Sequence, residues 1–164
     1  MSAPQAQPSR RSAAEQAQLE AAFVELFEQR ITFNTVLGLK VLSVQPGDVR
    51  GCFDMKPDLV GHFVTGRLHG GVISAALDAM AGLALMVAIG ERHPHDNPLQ
   101  VMQRFARMGT IDLRVDFLRQ GIGRHFVASA EVTRLGGRVG STQMKLVNDE
   151  DTVVATAAAS YILA

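Results

Sequence analysis

Leu68-His69-Gly70-Gly71-Val72-Ile73-Ser74-Ala75-Ala76-Leu77-Asp78-Ala79-Met80-Ala81-Gly82-Leu83-Ala84-Leu85-Met86-Val87-Ala88-Ile89-Gly90 decides how this chain folds. Two glycines open an apolar run whose one charge is Asp78, and the run reads as a single long helix. Its length matches the ~20 residues that cross a bilayer. An Asp near the middle would cost roughly 2.5–3.5 kcal/mol there, and the chain has no second span. Small residues at Ala75, Ala79, Gly82 and Ala84 suit a helix that another surface approaches closely. The expectation is a central helix buried inside a soluble domain.

The same stretch carries chemistry. Gly70 and Gly71 lack Cβ atoms, so a ligand can approach the backbone where the first helical N–H groups have no intrahelical partner. Those donors and the positive end of the helix dipole would polarise a carbonyl and hold an oxyanion. Asp78 lies among apolar residues, where an unpaired charge costs several kcal/mol. A carboxylate so placed is poised for base or nucleophile work.

Composition narrows the class. With 164 residues, 47% of them hydrophobic, the chain can bury one sizeable core. A formal net charge of +0 gives no footprint for nucleic acid or an anionic membrane, so neither is expected as a partner. Cys52 is the single cysteine, which rules out an intrachain disulfide framework. Met1 to Ser12 reads as a disordered tail, without the apolar core of a secretory signal, and cytoplasmic residence is expected.

From Ala13 the organisation is one domain reaching Ala164. Leu19, Phe23, Leu26, Phe27 and Ile31 recur at helical spacing, predicting an amphipathic helix that packs on a sheet edge or end. The period then falls to two in Leu39–Val44 and Val49–Met55, a hairpin about Pro46-Gly47-Asp48. Loops are expected over Pro57–Arg67 and Glu91–Met108. Four more strands follow: Thr110–Arg119, Arg124–Leu135, Arg138–Val147 and Val153–Leu163, with Gly136-Gly137 as a hairpin turn. A helix apolar on all sides must be wrapped by those six antiparallel strands. That α+β arrangement is a hotdog fold.

Leu59-Val60-Gly61-His62-Phe63-Val64-Thr65-Gly66-Arg67-Leu68-His69-Gly70-Gly71-Val72-Ile73, Asp78, and Thr110 to Arg119 resemble the acyl-CoA thioesterases of the hotdog superfamily. The likeness is to the phenylacetate-pathway type and, within it, the YigI-like group, over roughly Asn34 to Ala164. It implies hydrolysis of an acyl-CoA to free acid and CoA, with no cofactor. It also implies that Gly70 offers its N–H to the thioester carbonyl and that Asp78 is nucleophile or general base. Relatives carry a side-chain amide in the loop before the glycines, where this chain has His62; either the imidazole substitutes or the role is vacant. Thr110 matches a hydroxyl that accompanies the acid in some relatives, and a plain strand residue is the alternative.

On one helix Gly70 and Asp78 are about 12 Å apart at ~1.5 Å per residue, too far for one thioester to touch both. The two must come from different chains across a two-fold axis, so a homodimer or a dimer of dimers is expected. Arg134, Arg138 and the turn glycine Gly137 are candidates for the CoA phosphates, with Arg119 and Arg124 weaker. His69, Val64, Leu77, Met80, Ala81 and Met102 are candidates around the substrate and its acyl chain. The catalytic candidates are Asp78, Gly70, Gly71, His62 and Thr110. His93, His95 and Asp96 could ligate a metal, but no third histidine is placed near them, and no metal site is expected. Two other functions fit a hotdog domain. A non-catalytic acyl-CoA sensor or carrier module would have no need of Asp78; a hydroxyacyl dehydratase uses a different His and acid arrangement.

Overall fold

The computed structural model describes residues 9–163. Six antiparallel strands form one sheet in the order β1-β2-β6-β7-β8-β5. The strands are β1 (Lys40–Gln45), β2 (Asp48–Asp54), β5 (Gly109–Phe117), β6 (His125–Leu135), β7 (Val139–Asn148) and β8 (Val153–Ile162). A separate two-stranded ribbon, β3 (Val60–His62) with β4 (Arg67–Leu68), leads into the long helix α3 (Gly70–Arg92). This is the hotdog arrangement expected from the sequence.

Alternation builds the sheet around the helix. In β7 the buried positions are Gly140, Thr142, Met144, Leu146 and Asn148, one side of a period-two strand. Helix α3 runs along β6 and β7, and Ala76, Leu77, Met80, Ala81, Leu83 and Leu85 are fully enclosed. Contact is close enough to dictate residue size on the sheet: a Cβ at Gly51 would meet the Met80 sulfur at 2.8 Å. Although α3 is long and apolar enough to cross a membrane, 72% of its most apolar window is buried in the fold.

The N-terminal helix is more elaborate than its stripe predicts. Helix α1 (Ala13–Glu25) passes into a π-turn over Leu26–Arg30, where the Ile31 N–H reaches back to the Leu26 carbonyl at 3.0 Å, and then into α2 (Thr32–Leu37). The widened turn buries Phe27, whose carbonyl accepts the buried Asn34 amide at 3.0 Å. Helix α1 packs on the edge strand β1 and on α4 (Pro98–Phe105). Helix α4 lies inside Glu91–Met108, which was expected to be a loop; Asn97 and Gln100 form a capping box around Pro98 at the first helical position, where its missing N–H costs nothing. The expected Pro57–Arg67 loop likewise contains a 3₁₀ turn at Pro57–Leu59 and the β3–β4 ribbon.

The expected tail, Met1 to Ser12, lies outside the described residues up to position 8; beyond it the chain is tied down. Ser12 caps α1, and Arg11 caps the far end of α3. The Arg11 guanidinium donates to the carbonyls of Gly90 (2.6 Å), His93 (2.7 Å) and Asp96 (2.8 Å). Gly90 and the C-cap His93 are orphan acceptors at the negative end of the α3 dipole, where a cation is favoured, and Asp96 belongs to the connection into α4. Arg11→Ala is expected to cost about 1.5–3 kcal/mol, the worth of a hydrogen bond to a charged group. For a chain of this size that lowers Tm by roughly 5 °C in a thermal melt, and Arg11→Lys, lacking the fork, recovers only part of it.

Candidate active site

Chemistry-bearing residues gather at two places along α3. At the first, the ribbon sets the helix start. Gly61 lies so close to His69 that a Cβ would sit 2.4 Å from its Cα, and the Leu59 carbonyl accepts the His69 N–H at 2.9 Å. His69 is the N-cap, its Nδ1 accepting the Gly71 N–H at 2.9 Å. That bond corrects one expectation: Gly71 and His69 satisfy each other and build the helix start, so the Gly71 N–H is not a free oxyanion donor. The Gly70 N–H has no acceptor among the described residues. It borders an open groove of about 470 Å³ lined by Arg67, Phe117, Arg119, Gln120 and Gly121.

At the second place, the Asp78 carboxylate is half-buried rather than isolated in the core. Its Oδ1 accepts the Thr110 hydroxyl at 2.9 Å and also the Tyr161 phenol, which reaches the Asp78 main-chain carbonyl at 2.7 Å. Thr110 on β5 and Tyr161 on β8 are cross-strand partners, so the sheet register brings both hydroxyls to one oxygen. The carboxylate is thus held by two neutral hydroxyl donors and has no cationic partner among the described residues. Burial and then the neighbouring carboxylate push the Tyr161 phenol well above its ordinary range, keeping it an O–H donor. Beside the pair lies an apolar pocket of about 330 Å³ walled by Ala75, Ala79 and Gly82 of α3 and by Phe27, Phe33, Phe105 and Met108.

Gly70 and Asp78 share one continuous helix, so within a chain they lie about 12 Å apart along its axis at ~1.5 Å per residue. Other sequence candidates fall elsewhere. Met80, Leu77 and Ala81 are sealed in the core and do not line the Asp78 pocket; Met80, two positions on from Asp78 and so on the opposite side of a 3.6-residue helix, meets the sheet at Gly51. Met102 on α4 does not line the Asp78 pocket, whose aromatic wall on that helix is Phe105. His62 stacks on Phe63 and pairs with Thr65 in the ribbon, and Val64 is exposed at its tip; neither lines the pocket or the groove. The metal candidate Asp96 is bound to Arg104 at 2.8 Å.

Arg134, Gly137 and Arg138 are exposed at the β6–β7 hairpin. That hairpin meets the C-terminal end of α3, where Arg92 donates to the Gly136 carbonyl at 2.6 Å. Arg124 is committed to Asp149 at 2.9 Å. Tyr161 was not singled out in the sequence; the signal available was a lone tyrosine in a strand of small residues, Ala155 to Ser160.

Comparison with known proteins places the chain among thioesterases. A sequence model described as the Thioesterase superfamily matches residues 65–155, which span both the glycine pair and Asp78. The Escherichia coli medium/long-chain acyl-CoA thioesterase YigI is 37% identical over 139 residues, covering 85% of this chain and 90% of that protein. A Shewanella oneidensis crystal structure, described as related to the thioesterase superfamily, superposes with a TM-score of 0.86 at 32% identity, covering 93% of this chain and 100% of the other. The E. coli PaaI protein of the phenylacetic acid degradation operon shares the fold, with a TM-score of 0.71 at 17% identity over 93% of this chain and 96% of that one.

Proposed function

The chain belongs to the thioesterase superfamily and is a thioester hydrolase, and we propose that it hydrolyses acyl-CoA at a site completed between two copies, Gly70 of one facing Asp78 of the other. One observation carries the pairing: an unspent N–H donor and a hydroxyl-held carboxylate sit about 12 Å apart on one rigid helix, beyond the reach of a single thioester carbon. Edge strand β5 supports it. It touches both places, Thr110 at Asp78 and Phe117 beside Gly70, and its outer edge has no neighbouring strand among the described residues. Ile111 and Phe117 are 58% and 56% exposed on it, two large apolar side chains that a second β5 would cover.

In that arrangement the Gly70 N–H and the helix dipole stabilise the oxyanion as the carbonyl is attacked. The Asp78 carboxylate attacks the carbonyl carbon to give a mixed anhydride and CoA thiolate, or takes a proton from the water that attacks. The apolar pocket beside Asp78 receives the acyl chain. Its aromatic wall and small-residue floor suit a medium or long aliphatic chain, the class named for the YigI relative. A single thiol, Cys52, fits a reducing, cytoplasmic compartment.

The CoA nucleotide is assigned to the hairpin of the chain that supplies Asp78. The hairpin lies at Arg92, about 21 Å beyond Asp78 along the helix at ~1.5 Å per residue, so its arginines approach the phosphates rather than the thioester. Arg138→Glu is expected to raise KM for acyl-CoA several-fold while kcat changes less; an unchanged KM removes Arg138 from the site. The direct test of function is a panel of acyl-CoA chain lengths, with released CoA thiol followed against time for the native protein and for Asp78→Asn. Thiol release that depends on Asp78 supports the reading, and a protein that binds acyl-CoA without releasing thiol refutes it.

A further inference from the structure

We propose that Tyr161 is a positioning residue for the reaction, its phenol fixing the Asp78 carboxylate so that the second oxygen, Oδ2, is the one presented to substrate or water; this rests on the catalytic reading of Asp78. Tyr161 is 5% exposed and projects from β8, which pairs with the edge strand β5, across to α3. Its O–H approaches both the main-chain carbonyl and Oδ1 of Asp78, so it ties the side chain to the helix backbone and limits rotation of the carboxylate. Thr110, its cross-strand partner, donates to the same Oδ1 at 2.9 Å. Two hydroxyls thus engage one oxygen, and Oδ2 has no donor among the described residues. The lining of the adjoining pocket contains no ionisable side chain besides Asp78 and Tyr161, so no other charge competes for that role. A phenol kept protonated by burial and by the carboxylate beside it serves as a constant donor.

Acting through Asp78 has a consequence that simple packing lacks. Tyr161→Phe keeps the ring and removes only the donor, so kcat on a good acyl-CoA is expected to fall roughly tenfold, in line with one lost hydrogen bond to a charged group, with KM little changed. In an Asp78→Asn background the same substitution is expected to leave residual turnover unaltered, the non-additivity of two groups that work as a unit. Equal fold-losses in both backgrounds, or an unchanged kcat, overturn the proposal. Should Tyr161→Phe fail to fold, a second measurement replaces it. Tyr161 is the only tyrosine in the chain, so growth on fluorotyrosine labels this site alone. The single fluorine resonance of the labelled protein is expected to move when Asp78→Asn is introduced; an unmoved resonance overturns the proposal. Full turnover in Asp78→Asn instead removes the catalytic reading itself, whereas an inactive Asp78→Asn with an unaffected Tyr161→Phe removes only the positioning role.

Discussion

Asp78→Asn yields a folded protein whose release of thiol from acyl-CoA falls by roughly 10²–10⁴-fold, the usual contribution of a positioned acid or base. The fold tolerates the change because Asn keeps the shape and an oxygen that can still accept from Thr110 and Tyr161. The negative charge is lost, and with it the ability to attack a carbonyl or take a proton from water. KM is expected to hold, since the apolar walls of the pocket, Phe27, Phe33, Phe105 and Met108, are untouched. Native turnover in a correctly folded Asp78→Asn protein contradicts the assignment.

Gly70→Pro deletes the proposed oxyanion donor with little disturbance elsewhere. A backbone N–H is ordinarily beyond mutation, but Gly70 is the first residue of α3, the position where proline is accommodated because no intrahelical bond is lost. His69 before it is extended, with φ −67° and ψ 137°, the conformation that a following proline requires. The expected loss is 10²–10³-fold in kcat, typical of removing one oxyanion donor, with Tm within a few degrees of native. A Gly70→Ala control keeps the N–H, and its Cβ would meet the Phe117 ring at an acceptable 3.4 Å. Equal activity in the proline and alanine variants would show that the N–H has no part in the reaction.

The architecture was legible because α3 is so unbalanced. A helix of that length with one charge demands cover on all sides, and the period-two runs around Gly47 and Gly136-Gly137 supply the strands. Local pattern also marked Gly70 and Asp78, and the family resemblance marked Thr110. Side-chain direction was harder. Met80 looked like pocket lining, yet helical geometry already puts Ala75, Ala79 and Gly82 on the side of Asp78 and sends Met80 to the sheet at Gly51. Those small residues were recognised as a surface of close approach, and they form the pocket floor. Helix α4 was hidden by Pro94 and Pro98, although Asn97-Pro98 with Gln100 is a helix-start signature. Tyr161 stands 83 positions from Asp78, and only strand register joins them. The role of Gly71 was invisible for another reason, since a histidine N-cap consuming its N–H depends on one ring orientation.

The shared site is tested most directly by complementation. Gly70→Pro and Asp78→Asn chains are co-expressed with two different tags, and assemblies carrying both tags are isolated and assayed for thiol release. If each site takes its donor from one chain and its acid from the other, a mixed dimer holds one intact site of two and regains about half of native activity, although each variant alone is inactive. Mixed assemblies as inactive as their parents would contradict a site built across two copies.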